Sequence, residues 1–186
     1  MWRKALFAAV LAAGPAAAQD GPGPNLVIEV AGQAQGRVVI DLLPDVAPQH
    51  VQRIVALAEA GAYDGVVFHR VIEGFMAQTG DVAFGKGEDL SRAGMGGSDM
   101  PDLPAEFSGI TYDRGVVGMA RAQSPDSANS QFFIMFEPGP FLDGQYTVVG
   151  RVIEGMEIVD AIKRGRGQSG AVQAPADRME KVTVAK

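Results

Sequence analysis

One short segment of the chain combines two polar side chains with several large apolar ones. In "FHRVIEGFMAQTGD" (68–81), Arg70 and Gln78 stand among large apolar residues. A guanidinium is always charged and presents its donors in a fixed plane, whereas a primary amide both donates and accepts hydrogen bonds. Taken alone, the segment is typical of a surface arginine on a strand next to apolar core residues, and a binding site is indicated only where the same pattern recurs elsewhere in the chain.

The two-residue period of a strand indicates how these side chains face. Phe68, Arg70 and Ile72 alternate with their neighbours, so they are predicted to share one face of a strand. Gly74 interrupts the run, and a glycine tolerates backbone conformations that other residues avoid. We expect the strand to bend at Gly74 and to continue over 75–82.

Other common chemistries find little support in the sequence. His50 and His69 are the two histidines, and neither lies at a spacing typical of metal ligands. We expect His50 to be solvated or half-buried on a helix, and His69 to point away from Phe68 and Arg70. The chain has no cysteine and no G-x-S-x-G segment, so neither a thiol nor a hydrolase-type serine is predicted as a nucleophile.

The glycine-rich segments do not predict a phosphate site. "GKGEDL" (85–90) and "GMGGSD" (94–99) lack the strand–loop–helix context of a phosphate-binding loop, so both are predicted to be flexible turns. They lie in a stretch without periodicity, 84–109. A loop of that length is typical of a functional segment or of a missed element.

Strands outnumber helices in the predicted element order. Apolar residues at helical spacing predict helices at 44–61 and 154–165, the first with Pro48 in its first turn. Most neighbouring strands lack an intervening helix, which favours an antiparallel sheet or barrel with helices packed at its ends. Runs of β-branched and aromatic residues predict strands at 26–31, 36–43, 66–72, 75–82, 115–120, 131–136, 146–153 and 180–185.

The N-terminal residues are predicted to be a secretory signal peptide. A basic start, an apolar run over 5–14 and small residues up to Ala18 fit this pattern, with cleavage after Ala18. The apolar run is too short to span a bilayer. A flexible linker (19–25) and one domain (26–186) follow, and we expect a periplasmic or secreted protein.

Charge restricts the kind of partner. The chain has 16 basic and 22 acidic residues, so removal of Arg3 and Lys4 with the leader leaves 14 basic residues and a net charge of −8. That charge argues against nucleic acid and against anionic membrane surfaces. No heptad pattern or second long apolar run suggests assembly, so we expect a soluble monomer.

Three segments of the chain resemble the cyclophilin family of peptidyl-prolyl cis–trans isomerases. They are the segment 68–81, "GMARAQSPDSANSQFFIMF" (118–136) and "FLDGQYTVVGRVIEGMEIVDAI" (141–162). The similarity runs in order through nearly the whole mature chain and includes the helix "APQHVQRIVALAEAGAYDG" (47–65). The patterns F-H-R-x-I-x-G-F-M-x-Q-x-G-D and S-Q-F-F-I are specific in this combination.

The resemblance implies a mainly β fold, a closed eight-stranded antiparallel β-barrel capped by two α-helices. It also implies a groove on the outer surface that binds proline-containing segments of unfolded or partly folded proteins. Isomerisation of the Xaa-Pro bond makes or breaks no covalent bond, so neither a metal nor an organic cofactor is expected.

Site residues follow from the resemblance position by position. Arg70 matches the catalytic arginine of the family. The apolar proline pocket is matched by Phe75, Met76, Phe133 and Leu142. Positions that contact the peptide backbone or line the groove are matched by Gln78, Ala120, Arg121 and Gln131.

Three groove positions depart from the commonest eukaryotic pattern. Phe141 stands where a tryptophan is usual, Tyr146 where a histidine is usual, and Arg121 where an asparagine is usual. These choices resemble those of secreted bacterial members. The loss of an indole N–H removes a hydrogen-bond donor, so we expect weak binding of cyclosporin-type inhibitors.

Two other classes of protein remain as alternatives. The first is a cyclophilin-shaped chaperone that grips proline-containing segments without useful turnover. The second is a lipocalin-like carrier, in which "QFFIMF" (131–136) lines an internal cavity. A peptide isomerisation assay separates the first from an enzyme, and stoichiometric binding of apolar dyes would indicate the second.

Overall fold

The computed structural model describes residues 21–186. The predicted signal peptide, 1–18, lies outside the described residues. Asn25, the last residue of the predicted linker, is already part of the first strand. No helix within 21–186 is long and apolar enough to cross a membrane.

Nine strands and two α-helices make up the described chain. The helices are α1 (Pro48–Glu59) and α2 (Met156–Ala161), and a single 3₁₀ turn covers Pro140–Leu142. The strands are β1 (Asn25–Ala31), β2 (Gly36–Leu42), β3 (Val66–Val67), β4 (Arg70–Ile72), β5 (Met76–Thr79), β6 (Val116–Met119), β7 (Phe132–Met135), β8 (Val148–Glu154) and β9 (Arg178–Ala185).

All nine strands belong to one antiparallel sheet, in the order β3-β9-β1-β2-β8-β6-β7-β5-β4. The two end strands of this order, β3 and β4, are separated in the chain only by Phe68 and His69. The sheet therefore curls round until its two ends meet in one run of backbone, 66–72. This is the predicted mainly β barrel with two helices.

The number of strands differs from the predicted eight because the predicted strand 66–72 is interrupted. Its first half pairs with β9, through Val66 opposite Met179. Its second half pairs with β5, through Arg70 opposite Gln78. Between these halves the chain passes from one edge of the sheet to the other, so a single strand cannot run through.

Because of this interruption, the face predicted for Phe68 is wrong. Phe68 is buried in the main core with Val71, whereas Arg70 and Ile72 face outward. The two-residue period holds within β4 but does not extend across the break. His69, which the sequence predicted to point away from Phe68 and Arg70, is also buried.

Side chains fill the inside of the sheet. The interior residues come from strands on every side of the barrel and include Leu26, Ile28, Ile40, Val117, Phe132 and Ile134. Helix α1 packs its apolar side against them through Val51, Ile54 and Leu57. An interior filled in this way differs from the ligand cavity that the carrier hypothesis requires.

Strand alternation creates a second apolar cluster on the outside of the barrel. On β7, Phe132 and Ile134 belong to the interior, while Phe133 and Met135 belong to the outer cluster. Met76 on β5 lies with them. Successive residues of a strand point to opposite faces, so one apolar run supplies both the core and the floor of an external site.

The long segment 84–109 contains no helix or strand, but side chains hold it at several points. Asn129 accepts hydrogen bonds from the backbone N–H and the hydroxyl of Ser98, both at 2.7 Å. Further along, Glu106 accepts the backbone N–H of His50 at 3.1 Å and contacts its ring nitrogen Nδ1 at 2.6 Å. His50 is fully buried, contrary to the expectation of a solvated or half-buried residue.

Candidate active site

The hairpin of β4 and β5 places the cation and the amide side by side. Arg70 is paired directly with Gln78, and Ile72 with Met76, across the two strands. Gly74 lies in the turn with a φ of 68°, a conformation that favours glycine. The expected bend is thus a full chain reversal, and cross-strand neighbours share one face of the sheet.

The floor of the site is formed by Phe133 of β7. Its ring stacks on Tyr112 at a centroid distance of 5.8 Å and meets the ring of Tyr146 edge-on at 5.9 Å. Gly118 on the neighbouring strand makes room for this arrangement. A Cβ atom at Gly118 would lie 2.4 Å from the Tyr112 hydroxyl and 2.7 Å from Phe133 Cζ.

The 3₁₀ turn closes the site on its far side. Leu142 is buried in the outer cluster, whereas 63% of the surface of Phe141 is exposed. The Phe141 ring packs against Phe75 at a centroid distance of 5.5 Å. The turn therefore supplies one buried contact and one solvent-facing apolar edge.

Together these elements enclose an apolar pocket of about 370 Å³ on the outer surface of the barrel. Ten of the predicted site residues line it, and their roles stay predictions. Gln145 also lines it and was not predicted. The ten are Arg70, Phe75, Met76, Gln78, Ala120, Arg121, Phe133, Phe141, Leu142 and Tyr146.

Arg70 is half-buried and held at two points. Its Nε donates a hydrogen bond to the carbonyl of Ser169 at 3.0 Å, and its Nη1 donates to Gln78 Oε1 at 3.3 Å. Within residues 21–186, no hydrogen-bond acceptor is assigned to Nη2. The guanidinium is therefore held through Nε and Nη1, and Nη2 is left to donate to a molecule in the pocket.

Loss of hydration lowers the pKa of Arg70 from its ordinary value, while the phenol of Tyr146 opposes this shift. An unperturbed guanidinium titrates so far above neutrality that Arg70 keeps its charge at pH 7. The pocket thus contains a permanent positive charge that is only partly hydrated, and charge–dipole interactions are stronger where water is scarce.

Arg121 forms the opposite rim of the pocket. Its Nε and Nη2 donate to the carbonyl of Gln145 at 3.3 and 3.2 Å, and its Nη1 donates to the carbonyls of Ala122 and Gln123 at 3.1 Å each. Backbone acceptors therefore occupy most of its donors. Arg121 acts as a fixed wall of the pocket more than as a free cation.

A second concavity, of about 390 Å³, adjoins the apolar pocket and is called the polar hollow here. Gln78, Ala120 and Arg121 line both. Gln131, the remaining predicted site residue, lines the polar hollow and reaches the pocket only through Gln78, whose Nε2 donates to Gln131 Oε1 at 2.9 Å. Met95, with 77% of its surface exposed, stands at the rim of the hollow.

Comparison with known proteins identifies the class to which this fold and site belong. Residues 26–184 match the family model described as cyclophilin type peptidyl-prolyl cis-trans isomerase. The chain therefore belongs to the cyclophilin-type peptidyl-prolyl cis–trans isomerase family. The predicted fold class and the predicted isomerase activity are both confirmed.

Individual relatives agree with this assignment. A probable peptidyl-prolyl cis-trans isomerase of Brucella suis is 61% identical over 153 residues, which cover 80% of this chain and 78% of that protein. The isomerase CYP21-1 of Arabidopsis thaliana is 38% identical over 152 residues, or 76% of this chain and 66% of that protein.

A solved structure shows the same architecture. The crystal structure of a Cryptosporidium parvum cyclophilin type peptidyl-prolyl cis-trans isomerase, determined in the presence of the dipeptide Ala-Pro, superposes with a TM-score of 0.74. It is 25% identical in sequence, and the match covers 87% of this chain and 99% of that one.

Several contacts that shape the site could not be predicted from the sequence. One acceptor of Arg70 is the backbone carbonyl of Ser169, and one acceptor of Arg121 is that of Gln145; they are 99 and 24 residues away in the chain. Any residue type offers the same carbonyl. Tyr112, which supports Phe133, lies between the aperiodic stretch 84–109 and the predicted strand 115–120, and was also missed.

Proposed function

We propose that the protein accelerates rotation about Xaa-Pro peptide bonds by binding the twisted amide through Arg70. Resonance makes rotation slow, with a barrier of about 18–20 kcal/mol. A catalyst needs only to bind the twisted state better than either planar form. A fixed donor beside an apolar pocket supplies that preference without making a covalent bond.

The chemical role of Arg70 follows from the donors that it leaves unused. In the twisted amide the nitrogen lone pair is no longer delocalised and accepts a hydrogen bond. Because Nε and Nη1 are engaged by Ser169 and Gln78, Nη2 is the group that donates to the substrate. The donor is oriented before the substrate arrives, which avoids the cost of reorganisation.

The apolar residues have a complementary role. Met76, Phe133 and Leu142 are almost fully buried and form a rigid seat for the proline ring, while Phe75 and Phe141 form its edge. Holding the ring still allows the preceding carbonyl to rotate. Exclusion of water also destabilises the planar amide, which is the more polar form.

The substrates that we propose are proline-containing segments of exported proteins, and chaperone binding of the same segments would accompany catalysis. The support for export is the signal-peptide pattern over 1–18. Mass spectrometry of the protein from a periplasmic fraction tests it: the expected N-terminus is Gln19, and an uncleaved chain in the cytoplasm contradicts it.

The observation that carries the proposal is the fixed guanidinium of Arg70 at the edge of the apolar pocket. The test is isomerisation of Xaa-Pro tetrapeptides by residues 19–186, with and without Arg70→Ala. We expect the wild-type protein to accelerate the reaction and the variant to lose at least tenfold in kcat/KM. Peptide binding without acceleration by the wild-type protein would instead favour a chaperone.

A further inference from the structure

A buried carboxylate organises the loop beside the active site. Asp81 is fully buried, and its Oδ1 accepts the backbone N–H groups of Ala83 at 3.1 Å and Phe84 at 2.9 Å. Its Oδ2 accepts those of Gly94 at 2.7 Å and Gly96 at 3.0 Å. One oxygen therefore stabilises the turn that follows Asp81. The other binds the backbone of the loop at Gly94 and Gly96 and holds that loop next to the turn.

The two glycines are required by this close approach. A Cβ atom at Gly96 would lie 2.6 Å from Asp81 Oδ1. Gly94 has a φ of 95°, and a Cβ atom there would lie 3.0 Å from the ring of His69. The segment 94–99, predicted to be a flexible turn, is thus fixed at its start by a buried carboxylate.

The carbonyls of the same glycines determine how Gln131 is oriented. Gln131 Nε2 donates to the carbonyl of Gly94 at 3.0 Å and to that of Gly96 at 2.7 Å. A carbonyl can only accept, so the amide nitrogen of Gln131 must face the loop and its oxygen must face away. The flip of this side chain is determined by its partners.

The orientation of Gln131 determines that of Gln78, which in turn binds Arg70. Because the oxygen of Gln131 faces Gln78, Gln78 must present its nitrogen there, and the two atoms are 2.9 Å apart. The oxygen of Gln78 is then left for Arg70 Nη1, at 3.3 Å. Each amide donates towards the loop and accepts from the side of the guanidinium, so the chain of hydrogen bonds has one direction.

We propose that Asp81 is a positioning residue for Arg70, acting through the backbone of Gly94 and Gly96 and the side-chain amides of Gln131 and Gln78. The inference rests on the proposed function for its kinetic consequence. Asp81 itself is fully buried and lines neither the apolar pocket nor the polar hollow. It therefore acts on the reaction only through the groups that it holds.

Asp81→Asn tests the proposal with little change in volume. An amide keeps one acceptor oxygen and turns its NH₂ group towards two backbone N–H donors, so one pair of hydrogen bonds is lost. We expect kcat to fall at least fivefold and KM to change less than twofold, because the apolar pocket is untouched. Unchanged kcat in a folded Asp81→Asn protein would overturn the inference.

A double variant separates positioning from a general loss of structure. In an Arg70→Ala background, Asp81→Asn should lower the residual rate by less than twofold, because the group that it positions is gone. An equal loss in both backgrounds would show that Asp81 acts by another route. Asp64→Asn is the matched control: Asp64 accepts the backbone N–H of Val182 at 2.9 Å on another part of the barrel, and kcat should not change.

If Asp81→Asn does not fold, Gln131→Glu tests the same chain of contacts at a half-buried position. A carboxylate cannot donate to the carbonyls of Gly94 and Gly96, so kcat should again fall at least fivefold. Retained kcat in Gln131→Glu would overturn the proposal.

A spectroscopic measurement keeps this inference distinct from the proposed function. The ¹⁵N–¹H resonance of Arg70 Nε reports the hydrogen bond to Ser169 and does not depend on turnover. It should shift or broaden in Asp81→Asn and stay in place in Asp64→Asn; no change in Asp81→Asn would contradict positioning. Full activity of Arg70→Ala would overturn the proposed function alone.

Discussion

The guanidinium carbon of Arg121 lies 4.4 Å from the centroid of the Tyr146 ring. The same ring meets Phe133, the floor of the apolar pocket, edge-on at 5.9 Å. Tyr146 therefore joins the cationic rim of the pocket to its apolar floor. Arg121 and Tyr146, the two residues expected to replace the asparagine and the histidine of the commonest eukaryotic pattern, thus contact each other directly.

Removal of the Tyr146 ring should weaken substrate binding more than it slows rotation. Tyr146→Ala deletes a cation–π contact and an aromatic contact, each worth about 0.5–1 kcal/mol at a partly exposed site. Because both contacts lie within the protein, their loss should lower the free energy of unfolding by about 1–2 kcal/mol. Loss of the ring that lines the pocket should in addition raise KM for an Xaa-Pro peptide, while kcat changes less. Tyr146→Phe keeps both ring contacts and should stay within twofold of wild type; a large effect of this control would refute the explanation.

Arg70→Lys should restore little of the activity lost in Arg70→Ala. An ammonium is a point charge on a flexible stem and cannot hold Ser169, Gln78 and the substrate at once in a planar arrangement. We expect both variants to lose at least tenfold in kcat/KM in the peptide assay, with unchanged circular dichroism. Arg178→Ala removes an exposed arginine paired with Glu180 and should leave the rate at the wild-type value.

Phe141→Trp should tighten the binding of cyclosporin-type inhibitors. Phe141 is largely exposed and borders the pocket, so a larger ring has room, and the indole N–H adds a donor. A hydrogen bond of ordinary strength contributes about 0.5–1.5 kcal/mol, which predicts a Kd lower by about two- to tenfold in a calorimetric titration. Wild-type binding as tight as that of the variant would contradict the assigned role of position 141.

The contact between helix α1 and the loop should make stability depend on Glu106 at acidic pH. Partial burial by itself would raise the pKa of Glu106, but hydrogen bonds from His50 and Gln49 outweigh it, and the pKa is lowered. The ionised carboxylate is therefore favoured in the folded state. It also accepts two of the N–H groups that the start of a helix leaves free.

The sign of the pH effect follows from this lowered pKa. The stabilisation by Glu106 is complete above the unfolded-state pKa of about 4.3 and is lost as the pH falls through the lower folded-state value. Urea midpoints should drop between pH 5 and pH 3, and the drop should be smaller in Glu106→Gln. Glu88→Gln, which changes an exposed loop residue, should keep the wild-type pH dependence.

The residues that line the pocket were named through motifs that resemble a known family, and their roles stay predictions. The resemblance to the cyclophilin family named ten of the eleven residues that line the pocket, and residue types and spacing alone would not have named them. Phe132 and Phe133 lie on opposite sides of the sheet, as successive residues of a strand do.

The sequence failed where long-range contacts determined the structure. Phe68 was assigned to the face of Arg70 because propensity does not reveal that 66–67 and 70–72 pair with different strands. His50 was predicted to be solvated or half-buried because Glu106, its partner, lies 56 residues away in an aperiodic loop. In both cases the deciding contact was remote, and local periodicity contains no information about it.

The break at Phe68 and His69 has a consequence for how the enzyme would lose activity. Arg70 is the first residue after the seam at which the barrel closes on itself, and its acceptor partners lie on separate segments that meet there. Slight parting of the seam would separate Ser169 from Gln78 while most strand pairs stayed intact. The rate of isomerisation would then fall before the secondary-structure content of the protein changes.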